Sequence, residues 1–402
     1  MKAIYFTDEA KWQEEWQRIQ LIPKKRCTRC LYDETTPTIT FDVNGVCHYC
    51  HTHDQLDAQY QSPEGRATLE RIIEKIRYEG RKKPYDVIVG VSGGCDSSFL
   101  VHFAKEKGLR PLAVHYDNTW NSTIAVENIF NVLDKLNVEL WTHVVDNHEY
   151  DDLYKSILQC GTADLEAPTD LALASTLNMA AEKYRIKYIF EGHSFKTEGL
   201  SPLGWLYMDA KYIHSMHKKF GKIKNLKTYP HLWLGKQMKW MLLNRLKKIR
   251  PLWYIDYNKE DVKKMLTQEF DWKWYGGHHL ENRMTNFYHS YFLPRRFGID
   301  QRINGYAALV RSGQMEREEG LAHLKIPPGS QPDLIDMIKK RWELDDQTFV
   351  DLMTLPRKTY KDFKSYKSTF ENLRPFFYCM AKLNLIPMSF YMKYTLKDTT
   401  KG

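Results

Sequence analysis

The sequence predicts an α/β protein: a doubly wound parallel sheet with a small cysteine module ahead of it and a mainly helical region behind. Three observations carry that prediction. Apolar, β-branched runs alternate with helix-like segments over residues 85–191, the pattern of a parallel sheet covered by helices on both faces. A run of small residues, Ser92-Gly93-Gly94-Cys95-Asp96-Ser97-Ser98, joins the first of those strands to its helix. Cys27-Thr28-Arg29-Cys30 and Cys47-His48-Tyr49-Cys50 are separated by sixteen residues, the spacing of a four-thiolate zinc ribbon.

The elements follow in chain order. Met1 to Leu21 is amphipathic, with Trp12, Trp16 and Ile19 on its apolar side, and it lacks the apolar core of a signal peptide. Between the cysteine pairs, Thr38 to Phe41 with Asn44-Gly45 reads as a short hairpin that brings the two knuckles together. Four thiolates close the shell of a zinc ion and leave no position for substrate, so the metal is expected to be structural. An iron–sulfur cluster, or His48, His51 or His53 in place of one thiolate, is the alternative. Ser62-Pro63-Glu64 opens a helix with an N-cap, a proline in the first turn and an acid near the positive end. That helix runs through Leu69, Ile72, Ile73 and Ile76 to about Gly80. Strands are expected at 85–91, 112–116, 138–145 and 187–191, and helices near 96–108, 122–136, 150–160 and 170–185. After His193 the alternation stops: residues 200–257 are aromatic and basic, and 260–402 read as helices with polar turns. The expected divisions are therefore 1–62, the N-terminal helix and zinc ribbon; 63–200, the sheet domain; 201–300, a substrate-binding region; and 301–402, helical.

At 402 residues the chain is long enough for two or three cores. No apolar stretch approaches the roughly 18 residues of a membrane span. Seven cysteines, four of them in CxxC pairs, suit a metal site in a reducing compartment, so a cytoplasmic location is expected. The net charge is +9, and between Lys211 and Arg250 there are twelve Lys or Arg and no acid, which leaves 9 − 12 = −3 for the rest of the chain. Phe220, Tyr229, Trp233 and Trp240 interleave with those charges. A cradle for an anionic substrate, an RNA-facing surface, a membrane-surface helix and a solvated basic face all fit that stretch.

The small-residue loop has phosphate-binding chemistry. Its backbone N–H groups and the helix N-terminus behind it attract phosphate oxygens, and Ser97 and Ser98 add hydroxyls. Asp96 stands where a carboxylate holds Mg²⁺ against the same phosphates. The loop lacks the spacing and lysine of a Walker A motif. Ligands of such sheets bind beyond the carboxyl ends of the strands, which adds Val114-His115-Tyr116-Asp117-Asn118 and Phe190-Glu191-Gly192-His193. The candidate nucleotide contacts are Ser92, Gly93, Gly94, Asp96, Ser97, Ser98, His115, Asp117, Gly192 and His193.

The loop resembles the SGG-x-DS signature of PP-loop ATP pyrophosphatases, whose sheet is HUP-like. Together with the zinc ribbon, the chain resembles the N-acetyl sugar amidotransferases of surface-polysaccharide (lipopolysaccharide O-antigen) biosynthesis. Glu191-Gly192-His193-Ser194-Phe195-Lys196-Thr197-Glu198-Gly199 carries the likeness, as do Gly204-Trp205, Tyr207, Asp209 and Tyr275-Gly276-Gly277-His278-His279 with Glu281-Asn282. Tyr291-Phe292-Leu293-Pro294, Phe297-Gly298-Ile299-Asp300 and Ser312-Gly313-Gln314-Met315 continue it, over about residues 25 to 320. The resemblance implies an ATP- and Mg²⁺-dependent enzyme that adenylylates an acetamido oxygen of a nucleotide-linked diacetamido sugar, such as a UDP-linked uronic acid. Ammonia then displaces AMP to leave an acetamidino group. It implies Asp96, Lys196 and Glu198 as catalytic candidates and Tyr207, Asp209, His278 and Glu281 on the substrate side.

A tRNA-thiolating PP-loop enzyme is the alternative, since the basic stretch would suit RNA. Sulfur transfer needs reactive cysteines outside the ribbon, however, and only Cys95, Cys160 and Cys379 remain. A non-enzymatic zinc-ribbon scaffold would leave the loop unexplained. No cysteine suits a glutaminase: Lys2 follows Met1, and Leu158-Gln159-Cys160-Gly161 lacks the glycine that precedes a nucleophile elbow. A separate glutaminase partner is therefore expected, resembling the paired subunits of imidazole-glycerol-phosphate synthase.

Overall fold

The computed structural model describes residues 8–395 apart from 203, 278, 279, 332, 384 and 387. Its centre is a parallel sheet of five strands: β1 (Val87–Gly90), β2 (Pro111–Asp117), β3 (Leu140–Val144), β4 (Tyr188–Phe190) and β5 (Lys247–Ile249). The spatial order is β3-β2-β1-β4-β5. The chain winds outward from β1 through β2 to β3, returns to the other side of β1 as β4, and continues to β5. The switch in direction falls between β1 and β4, where Ile88 pairs with Ile189 and Val89 with Phe190. A crevice opens at that point beyond the strand ends.

Helices α1 (Glu9–Gln20), α2 (His48–Tyr60) and α3 (Pro63–Gly80) precede the sheet. The Ser62 hydroxyl accepts the Gly65 N–H at 3.0 Å, the cap the sequence predicts. Helices α4 (Cys95–Glu106), α5 (Thr123–Leu136), α6 (Asn147–Leu158) and α7 (Ala167–Lys183) connect the strands. Alternate residues of β1 face opposite cores. Val87 and Val89 pack with α3, α4 and α5, and Ile88 packs with Leu177, Ala180 and Ala181 of α7. Burial on both sides is why these strands read as continuous apolar runs.

Beyond the sheet come α8 (Ala210–Phe220), α9 (Leu234–Met238), α10 (Lys259–Phe270) and α11 (Arg283–Phe287), the last running into a π-helical segment Tyr288–Phe297. Then follow α12 (Arg302–Arg311), α13 (Arg317–Lys325), α14 (Leu334–Trp342), α15 (Asp346–Thr354), α16 (Lys367–Asn372), α17 (Arg374–Lys382) and α18 (Met388–Thr395). An aromatic core joins α6, α7 and α8 to the π-helical segment, α14 and α15. The cysteine module packs on Ala307 and Leu324 of α12 and α13, and α1 docks nearby, its Trp16 Nε1 donating to the Leu324 carbonyl at 3.2 Å.

The sequence reading missed β5. Lys247-Lys248-Ile249 is three residues long and its lysines are exposed, as suits an edge strand, so it carries no apolar run. The basic stretch that contains it does not form one charged face. Lys239 pairs with Glu182 at 2.6 Å, and Lys248 and Arg250 pair with Glu191 at 2.7 and 3.1 Å. The backbone of residues 222–228 wraps the carboxylates of Asp152 and Glu149.

Asp86, at the entry to β1, accepts hydrogen bonds from Arg110 N, Nε and Nη2 at 2.8, 3.1 and 2.8 Å, and Arg110 also reaches the Gly80 carbonyl at 2.8 Å. This buried carboxylate fastens α3, β1 and β2 together. Asp86→Ala should cost about 2 kcal/mol, measured by urea unfolding.

Candidate functional site

The four cysteine sulfurs lie within 4.8 Å of one another and all are buried. The separations are 3.8 Å for Cys27–Cys50, 3.7 Å for Cys30–Cys47 and 3.6 Å for Cys47–Cys50. A tetrahedron with metal–sulfur bonds of about 2.3 Å has edges of about 3.8 Å, so the donor set fits zinc. The hairpin between the knuckles forms, with Phe41 bridged to Cys47, and the amides of Cys30 and Cys47 point at Cys27 Sγ from 3.4 and 3.3 Å. Among the described residues no histidine joins the four-cysteine donor group; His48 bonds Thr40, His51 bonds Asp42, and the His53 ring lies against Phe195.

A cavity of about 540 Å³ occupies the crevice at the switch point. Ser92, Gly94, Asp96 and Ser97 line it from the loop after β1, Gly192 and His193 from the loop after β4, and His115 from β2. Gly93, Ser98 and Asp117 do not line it. Gly93 has φ +80°, and a Cβ there would lie 2.2 Å from the Ala125 carbonyl oxygen; the loop needs glycine for its turn and for its approach to α5. Ser98 is buried in the first turn of α4. Asp117 accepts from Thr119 N at 2.8 Å and Asn121 Nδ2 at 3.3 Å and so shapes the loop after β2. Gly192 lies against the start of α4, where a Cβ would sit 3.6 Å from the Ser97 nitrogen.

Asp96 is buried and met by both an ammonium and a phenol. Lys259 Nζ donates to its Oδ2 at 2.8 Å and the Tyr257 hydroxyl to its Oδ1. Glu198 hydrogen-bonds the same carboxylate. Burial pushes the Asp96 carboxyl up, but the Lys259 charge and these hydrogen bonds outweigh it and hold the group below the ordinary carboxylate range. Burial and the Asp96 charge push Glu198 well above its ordinary value. Glu198 therefore favours its protonated form beside Asp96, whose charge Lys259 offsets. Lys259 and Tyr257 were missed in the sequence. The available signal is a lysine at the first position of a helix capped by Asn258, a place where the dipole disfavours a cation.

The two histidines keep little capacity for ligand. His115 donates from Nδ1 to the Val91 carbonyl at 2.8 Å and accepts at Nε2 from Asn121 Nδ2 at 3.1 Å. His193 donates from Nε2 to the Gly199 carbonyl at 3.0 Å and accepts at Nδ1 from Trp253 Nε1 at 3.2 Å. Burial holds His193 down to about 4, so it is neutral at physiological pH.

The C-terminal region completes the cavity. Glu281 accepts from the Ser92 hydroxyl at 3.2 Å and gives its backbone carbonyl to Ser122 N at 2.9 Å. Asn282 donates to Asn118 Oδ1 at 2.9 Å and Asn121 Oδ1 at 3.1 Å. Tyr207 lines the cavity with its hydroxyl on Asp209. Asp209 does not reach the cavity: it caps α8 by accepting Tyr212 N at 2.7 Å and also accepts Tyr366 N at 2.8 Å. Lys196 is not brought to the site either, and its ammonium faces Asp256 at 3.4 Å. His278 lies outside the described residues. Lys248 is the one lining residue contributed by the 211–250 stretch.

Opposite the loop, the cavity wall is acidic. Glu166 accepts from the Tyr154 hydroxyl at 2.6 Å and the Thr285 hydroxyl at 2.8 Å, and burial pushes it up to about 7. Asp164 accepts from Tyr207 N and the Tyr212 hydroxyl at 2.8 Å each, and burial pushes it up to about 6.

Two predictions follow from this geometry. The purified protein should carry about one zinc per chain, and Cys47→Ser should lose it with a fall in Tm of about 5 °C, read by elemental analysis and calorimetry. For Glu166 the folded state prefers the protonated form. The stability this confers is complete below about pH 4.5 and lost as pH rises through 7. Glu166→Gln should flatten the pH dependence of unfolding across that window by about 3 kcal/mol at most.

Comparison with known proteins bears on the C-terminal region. No curated protein matches the chain. Among solved structures, NMN synthetase from Francisella tularensis is similar at 11% identity over 70% of this chain and 93% of that one, with a TM-score of 0.27, too low to support an argument. Residues 281–375, which begin at the cavity residue Glu281, match the family model for the C-terminal domain of LPS biosynthesis protein WbpG-like proteins. Over residues 281–375 the chain is thus similar to the C-terminal domain of WbpG-like LPS biosynthesis proteins, in support of the surface-polysaccharide family its motifs resemble.

Proposed function

We propose that the protein is an ATP-dependent amidotransferase that converts an acetamido group of a nucleotide-linked sugar to an acetamidino group. The observation that carries this reading is the shared cavity. The phosphate-type loop forms one wall, and Glu281, Asn282, Thr285, Tyr288 and His289 of the WbpG-like region help to form the other. ATP and a second substrate would meet there.

An amide carbon is a poor electrophile because its oxygen is a poor leaving group. The amide oxygen attacks the α-phosphorus of ATP and pyrophosphate departs. Ammonia then adds to the carbon, and AMP leaves with the original oxygen, so O is replaced by NH. The loop amides, the N-terminus of α4 and the Ser97 hydroxyl would stabilise charge on the departing pyrophosphate. Asp96 is the carboxylate whose oxygens would suit Mg²⁺, which when bound would add positive charge beside the phosphates. Lys259 already holds a cation at that carboxylate. An acidic wall around Asp164 and Glu166 suits ammonia and its protonated form better than a phosphate.

Thiolation of tRNA is less well supported. Cys95 and Cys160 are buried, and burial pushes both thiols up to about 12, whereas a sulfur-carrying cysteine works as a thiolate. A glutaminase partner and a cytoplasmic location belong to this proposal. Among the described residues no helix is long and apolar enough to cross a membrane.

Incubation with ATP, Mg²⁺, ammonium and candidate UDP-diacetamido sugars, uronic acids included, should give AMP, pyrophosphate and a sugar lighter by about one dalton, as O→NH requires. Asp96→Ala should lower turnover by at least about a hundredfold, and glutamine should not replace ammonium unless a glutaminase is added. ADP and phosphate as products would overturn the assignment.

A further inference from the structure

The segment Ser312-Gly313-Gln314 stands between the cysteine cluster and the Asp96 site and touches the partners of both. Helix α12 presents Arg311 to the cysteines: Nη2 donates to Cys30 Sγ at 3.2 Å, and the guanidinium covers the Tyr32 ring at 4.4 Å. Arg311 is buried, and a buried cation needs a negative partner. A zinc ion with four thiolates has a net charge of −2, which supplies one. Tyr32 strengthens the junction by donating to Asn304 Oδ1 at 2.8 Å and lying 3.2 Å from the Leu200 carbonyl.

Directly after Arg311 the helix stops. Gly313 takes φ +71°, and Gln314 N returns to the Leu309 carbonyl at 2.8 Å, a left-handed helix end that favours glycine. That turn directs two side chains at the site. The Ser312 hydroxyl donates to the Lys196 carbonyl at 2.8 Å, two residues before Glu198. Gln314 Nε2 donates to the Tyr257 carbonyl at 3.1 Å, and its Oε1 faces Lys259 N at 3.5 Å. Glu198, Tyr257 and Lys259 are the three groups that hold Asp96.

We propose that Arg311, Ser312 and Gln314 are positioning residues through which the metal-bound cysteine cluster holds the Glu198 loop and the Tyr257–Lys259 segment against Asp96. Thiolate charge retains Arg311, Arg311 sets the end of α12, and the turn at Gly313 aims Ser312 and Gln314 at the two segments. The zinc centre then acts on the ATP site without touching a substrate, as groups next to metal ligands often relay the metal's influence. The ATP part of this statement rests on the proposed function; the linkage itself does not.

Hydrogen–deuterium exchange on the full chain tests the linkage without nucleotide. Gln314→Ala and Arg311→Met should each speed exchange several-fold in residues 192–199 and 255–260, with zinc content kept at about one per chain in Gln314→Ala. Arg311→Lys, which retains the cation, should restore slow exchange in part. Wild-type exchange in both segments of Gln314→Ala would overturn the proposal, as would an Arg311→Lys chain no slower than Arg311→Met. In the same preparations, MgATP should bind about tenfold more weakly to Gln314→Ala than to wild type by titration calorimetry, and equal affinity would also overturn it. A wild-type chain that binds no MgATP would refute the proposed function, while the exchange result would still decide the linkage.

Discussion

A carboxylate placed at the first turn of α4, just after the glycine loop, cannot stay charged in a dry interior unless a cation and donors meet it. Asp96 imposes that condition on the rest of the site. Lys259 meets it with charge, and Tyr257 and Glu198 with hydrogen bonds. The partners come from a helix start about 160 residues later and from the loop after β4. The carboxylate therefore draws the sheet, the segment after β5 and the loop after β4 into one arrangement. The upward push on Glu198 has the same origin, since one lysine does not balance two buried anions.

The parts legible in the sequence are those with a local physical cause. Both-face burial made β1, β2 and β4 readable as apolar runs, and the Ser62-Pro63 cap fixed the start of α3 at the observed residue. The CxxC spacing predicted a cluster whose sulfur separations match a tetrahedron. Gly93 was informative because its positive φ and the close approach of Ala125 require glycine there.

Less local features were not legible. A three-residue edge strand such as β5 has no pattern to show. His115 and His193 stand where ligand contacts were expected, yet each spends both ring nitrogens inside the protein. Asp209 caps a helix, and Lys196 faces Asp256. In these cases the residue type fitted a ligand role and the fold used it for a hydrogen bond that only the tertiary structure reveals. Lys259 is the reverse case: an ordinary-looking lysine becomes central because a distant carboxylate needs it.

Contacts made by the C-terminal region join residues far apart in the chain. Asn282 reaches Asn118 across 164 positions, and Arg311 reaches Cys30 across 281. During synthesis the sheet through β5 emerges well before Asn282 or Arg311, so a nascent chain owns the loop at residues 92–98 long before it owns the residues of 281–289 that complete the cavity. Contacts of such separation are the last to be rewarded by chain closure. An unfinished chain thus carries the loop at residues 92–98 with no chamber around it, and any truncated product lacking residues beyond 280 inherits that exposed state, open to water.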